Sequence, residues 1–124
     1  MAATIGPLAQ VAVTFHDVPR AVAWYRDMLG LPLLFETNGM AFFAMGDVRL
    51  MMTAPEKPEH DHPASVLYFK VAKVDNAFAE LAARDAAFED KPHLVGKMGS
   101  TEIWMFFVRD PEQHLIGITE ERAG

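Results

Sequence analysis

The sequence predicts an α+β fold built from two βαβββ modules, and three observations carry that prediction. First, the chain repeats itself: with a shift of 56, QVAVTFHDVPRAVAWY at residues 10 to 25 aligns with VLYFKVAKVDNAFAEL at 66 to 81. Second, each copy passes from strand periodicity to helix periodicity. Third, each helix is followed by three short β-prone runs divided by turn residues. At 124 residues the chain suits one domain. Module 1 is expected over about 8–53, a linker over 54–64, and module 2 over 65–120.

The first strand alternates Val11, Val13 and Phe15 with Gln10, Ala12, Thr14 and His16; its repeat alternates Leu67, Phe69 and Val71 with Val66, Tyr68 and Lys70. The helices keep the i, i+3, i+4, i+7 spacing of one buried face, at Val18, Ala21, Val22 and Tyr25 and again at Val74, Ala77, Phe78 and Leu81. Asp17 and Asp75 are the expected N-caps, Pro19 fits a first turn, and Gly30 ends the first helix. LPLLFE (31–36), MAFFAM (40–45) and VRLMMT (48–53) follow, broken by Asn38-Gly39 and Gly46-Asp47. The second half offers an interrupted run at 88–98, then TEIWMFFV (101–108) and HLIGIT (114–119), broken by Gly99-Ser100 and Asp110-Pro111. The linker APEKPEHDHPA is polar and proline-rich, which predicts an exposed loop. Half a module pair would expose an apolar sheet face, so the two sheets are expected to close on each other or on a partner chain.

Composition narrows the function. Apolar residues make up 51% and charged residues 23%, which excludes disorder, collagen and coiled coil. A formal charge of −6 argues against nucleic-acid and anionic-membrane surfaces. Without cysteine there is no disulfide, thiolate zinc site or cysteine nucleophile. No apolar run approaches a membrane span and the N-terminus lacks a basic, then apolar, leader, so a soluble cytoplasmic protein is expected.

The paired βαβββ pattern, DVPRAVAWYRDMLGLPLLFE after the first strand and FFVRDPEQHLIGITE near the end resemble the vicinal oxygen chelate superfamily. That superfamily includes glyoxalase I, bleomycin and fosfomycin resistance proteins, extradiol dioxygenases and methylmalonyl-CoA epimerase. The resemblance implies eight strands forming a glyoxalase-like cleft, a homodimer, and a divalent metal held by four strand residues. Carried over position by position, those ligands fall on Gln10, Met51, Val66 and Gly117. An amide, a thioether, an isopropyl group and a hydrogen do not supply the N and O donors such a metal requires, so neither metal nor cofactor is expected.

The site is then expected to hold a small organic ligand on the strand faces opposite the helices. Gln10, Arg49, Met51, Val66, Tyr68, Lys70 and Gly117 line it, Trp104 turns inward, and Arg49 or Lys70 counters a carboxylate or phosphate. Periodicity alone leaves open whether Trp104 and Phe106, or Ile103, Met105 and Phe107, face that way. His60-Asp61-His62 reads as a solvated loop, His16 as a strand-end residue, and Lys97 as an edge-strand charge. His114 and Gln113 take the asparagine and glycine places of the family's DPxGN turn, the latter where a positive φ is needed. Two functions remain: a metal-free binding protein resembling the bleomycin-resistance branch, or an enzyme acting metal-free, with His93 as its candidate acid/base, or through a non-standard metal site. Net charge and the missing ligands favour binding.

Overall fold

A computed structural model describes residues 5–62 and 64–123. They form two compact units dividing between His62 and Pro63, inside the predicted linker. No helix is long and apolar enough to cross a membrane among the described residues.

The first unit contains β1 (Gln10–Thr14), α1 (Val18–Asp27), β2 (Leu33–Thr37), β3 (Met40–Met45) and β4 (Val48–Thr53), followed by a 3₁₀ turn at Pro58–His60. Its sheet has the order β1-β4-β3-β2, with β1 and β4 parallel and the other pairs antiparallel. Of the apolar set named by alternation on β1, Val13 and Phe15 are buried and Val11 is half-buried; with Ala41, Phe43, Leu50 and Met52 they form the core under Ala21, Val22 and Tyr25 of α1. Tyr25 meets Phe15 edge-on at 5.8 Å and Phe43 at 6.4 Å. Asp17 caps α1, accepting the Arg20 amide at 3.1 Å. The tight β2–β3 hairpin has Asn38 and Gly39 at φ 50° and 76°, the left-handed pair that such a turn requires.

The second unit contains β5 (Leu67–Lys70), α2 (Val74–Ala83), β6 (Ala87–Phe88), β7 (His93–Met98), β8 (Thr101–Arg109) and β9 (Leu115–Ala123). Its sheet runs β5-β9-β8-β6, with β7 also pairing β8; β5 and β9 are parallel, as β1 and β4 are. Val74 and Leu81 of α2 are buried on this sheet, and Phe78 stacks on Phe88 at 4.3 Å and meets Phe106 edge-on at 5.3 Å.

The second helix corrects one expectation. Asp75 is not its cap but its second residue, and the capping position holds Lys73, whose side chain makes no capping bond. A shift of 56 from Asp17 leads to Lys73, so the repeat carries no carboxylate there. Glu120 of β9 replaces it from the sheet, accepting the Val74 amide at 2.9 Å. Glu120 is buried, and the Arg122 guanidinium, with that amide, holds its carboxyl at about 2, well below the usual 4.5.

Candidate functional site

In each unit the helix covers one sheet face, and the cross-strand register defines which residues share the other. In the first unit Gln10 lies opposite Arg49, Ala12 opposite Met51 and Thr14 opposite Thr53. Arg49 faces Ala44 on β3, Met51 faces Phe42, and Phe42 in turn faces Phe35 on β2. The helix-free face is therefore a grid of three rows. One is polar (Gln10, Arg49), the next apolar (Ala12, Met51, Phe42, Phe35), and the third bears the hydroxyls of Thr14, Thr53 and Thr37. Phe35 stacks on Phe42 at 4.5 Å and is 51% exposed.

Side-chain bonds join the first two rows. Arg49 Nε donates to Gln10 Oε1 at 3.1 Å, and Gln10 Nε2 lies 3.5 Å from Met51 Sδ. The amide oxygen of Gln10 is thus committed to a cation. The predicted trio of Gln10, Arg49 and Met51 is brought together.

In the second unit Tyr68 lies opposite Gly117 and Lys70 opposite Thr119; Gly117 also faces Phe107, and Thr119 faces Met105. Val66 directly precedes β5 and shares this face by alternation. The Tyr68 ring lies across Gly117. A Cβ there would sit 2.5 Å from Tyr68 Cδ2 and 3.2 Å from Phe107 Cε2, so only glycine admits the ring in this position. Tyr68 and Phe107 meet edge-on at 5.8 Å. Lys70 is 3.8 Å from Glu121, so its charge has an acidic partner.

Trp104 is a correction: it does not share the face of Tyr68 and Gly117. It pairs across the sheet with Glu120 on the helix side, donates to Glu102 Oε1 at 3.0 Å, and carries the Arg122 guanidinium 4.3 Å above its ring. Ile103, Met105 and Phe107 occupy the helix-free face instead. Counting through the Asp110 turn from Arg109 opposite Leu115 sets Phe107 opposite Gly117, a signal that periodicity lacks. Phe107 belongs to the alternative set that periodicity left open, whereas Phe35 and Phe42 carry no such signal in the sequence.

His93 lies on β7 opposite Met105, on the helix-free face. Its Nδ1 is 2.7 Å from the Lys91 carbonyl, which can only accept. In the neutral ring Nδ1 therefore carries the proton and Nε2 is left as the base. Asp90 lies 3.8 Å from Nδ1.

The His60-Asp61-His62 segment is anchored to the end of β1. His16 Nε2 meets Asp61 Oδ1 at 2.7 Å, and Thr14 Oγ1 donates to the His60 carbonyl at 3.2 Å. No group of three or more His, Asp or Glu side chains able to hold a metal occurs among the described residues. In the turn after β8, Gln113 adopts φ 70°, the conformation expected at the glycine place. The buried Asp110 carboxylate accepts the amides of Glu112 and His114, each at 2.9 Å, and meets His114 Nδ1 at 2.8 Å. That bond raises the His114 pKa above its usual value, so this histidine serves the turn.

Two parallel-edged sheets, each with one helix and an open face of mixed polarity, define a class, and comparison with known proteins agrees. Residues 8–118 match the family model of the Glyoxalase/Bleomycin resistance protein/Dioxygenase superfamily, and the chain belongs to that superfamily. An uncharacterized protein of Bacillus subtilis, YraH, is 30% identical over 90% of this chain and 95% of its own. Among solved structures, a lactoylglutathione lyase from Agrobacterium tumefaciens shares the fold with a TM-score of 0.71, 21% identity and coverage of 95% and 96% of the two chains. A superfamily member from Sphaerobacter thermophilus does so at 0.79 and 15%, covering 96% and 100%.

Proposed function

We propose that this chain is a small-molecule-binding member of the superfamily whose site works without the family's divalent metal. The observation that carries the reading is the Tyr68 ring on Gly117, where a ligating side chain would have to stand. The remaining positions support it. Gln10 spends its oxygen on Arg49, whose positive charge opposes a metal cation alongside, and Met51 and Val66 offer no hard donor. Without the metal, the electrostatic stabilisation of an oxyanion is lost, which favours binding over turnover.

The test has two parts. Elemental analysis of protein purified without chelator, then titrated with Mn, Fe, Ni and Zn, is expected to show no stoichiometric metal; micromolar or tighter uptake overturns the reading. Thermal shifts against cationic glycopeptides, planar aromatics and organic acids should then reveal a ligand, since binding at about 100 times Kd adds ~2.7 kcal/mol.

One observation favours a second reading, metal-free acid/base catalysis: the bond from His93 to the Lys91 carbonyl frees Nε2 as a base on the open face. If the protein turns over any ligand so found, His93→Ala is expected to abolish that turnover with the fold intact; retained turnover removes His93 from the mechanism.

A further inference from the structure

We infer that the open face of the first unit is built for an organic monocarboxylate with a flat apolar body, with the Arg49 guanidinium as its anchor and Gln10 as the residue that positions it. This rests on the metal-free binding reading and names the ligand class for the same site.

The argument begins with charge. The protein carries 17 acidic residues against 11 basic ones, so a cation here readily finds an acid. On the helix-free face of the second unit Lys70 has done so, with Glu121 at 3.8 Å. Arg49 has not: among the described residues its side-chain partner is the neutral amide of Gln10. That bond uses Nε and leaves the two terminal nitrogens, the pair whose parallel N–H groups match the two oxygens of a carboxylate. The amide is held in turn, its nitrogen 3.5 Å from Met51 Sδ. Gln10 thus restrains the guanidinium without neutralising it.

The rest of the ligand follows from the rows. Successive same-face residues on a strand are about 7 Å apart, so the row after Arg49 begins about 7 Å from the anchor. That row holds Met51 and the stacked Phe42 and Phe35, with Ala12 beside Met51 and Ala44 beside Arg49 leaving room above the sheet. A thioether and two aromatic rings accept a planar body. One guanidinium without a second cation suits a monoanion better than a phosphate dianion. A cationic ligand is repelled by Arg49 and finds no carboxylate in these rows.

The experiment is an NMR titration of the intact, isotopically labelled chain with phenylacetate, its neutral isostere phenylacetamide, and phenethylamine. Phenylacetate is expected to bind about tenfold or more tighter than phenylacetamide, the factor typical of hydrogen bonds to a charged group, and phenethylamine weakest. Shifts should centre on the amides of β1, β3 and β4. Arg49→Met should abolish the preference for the acid, weakening phenylacetate far more than phenylacetamide until the two bind alike. Gln10→Glu should do the same by neutralising Arg49 in place, an effect on the acid-to-amide ratio that a purely structural glutamine would not produce. Both positions lie on the open face, and unchanged spectra away from it verify the fold. Equal affinity for acid and amide, no binding of phenylacetate, or a preference that survives both variants overturns the inference. If neutral or cationic members of the wider library bind the metal-free protein while acids do not, the ligand class falls and the binding function stands; if nothing binds, the function falls as well.

Discussion

Gly117 and Tyr68 exchange size with their counterparts in the other half. The repeat places Tyr68 where the first half has Ala12, and Gly117 where it has Met51; Ala12 faces Met51 as Tyr68 faces Gly117. Each pair sets one large side chain against one small one, but on opposite strands. Gly117→Ala is expected to cost about 1–2 kcal/mol, the low end of overpacking, because the 54% exposed ring can swing outward. Tyr68→Ala should remove most of that cost, so a double-mutant cycle in urea should give clear coupling; additivity would show the ring lies elsewhere in solution. Gln113 makes the converse case. It holds φ 70° where glycine is unstrained, so Gln113→Gly should raise stability by about 1 kcal/mol in the same assay. Both features bear on legibility. The glycine place in the turn is readable because its neighbours Arg109-Asp110-Pro111 fix the turn's identity, whereas the Tyr68 ring over Gly117 needs the parallel register of two strands separated by most of the second unit.

Among the elements, the strands and helices were legible because one face of each is buried and alternation shows it; boundaries at β2, β3, β4 and β8 fall within about two residues of those expected. β8 was the exception. Both its faces are apolar, so periodicity does not orient it, and Trp104 lies on the helix side and not inward as expected. The α2 cap was also illegible, since its carboxylate arrives from another strand. Glu120 makes that cap pH-sensitive in a defined direction. Its folded pKa of about 2 lies below the ordinary 4.5, so it stabilises the fold fully above that ordinary value and progressively less as pH falls toward 2. Glu120→Gln keeps an acceptor for the Val74 amide but loses the charge. Its stability should fall below that of the parent near neutrality and converge with it near pH 2, as followed by urea unfolding across that range. A constant gap between the two would assign the effect to packing. The pairs of Asp27 with Arg26 and Glu89 with Arg109 lower those carboxyls too, but they lie in solvent and add little.

At the scale of the molecule, two copies of one plan have diverged in what they carry. The first keeps its helix cap within three residues of the amide it serves; the second draws on a carboxylate 46 residues away. This difference sets an order of assembly. α1 can be capped as soon as its own turn emerges from the ribosome, while the Val74 amide of α2 waits for its carboxylate until β9 is made. The second half therefore gains its stability late and from a contact distant in sequence, the kind of contact that slows folding. A chain stopped after Thr119 should retain slowly exchanging α1 amides and lose protection at the start of α2, whereas equal protection of both helices would show that α2 needs no help from Glu120. β9 thus acts as the closing signal for the second half, which commits to its fold only once that strand has emerged.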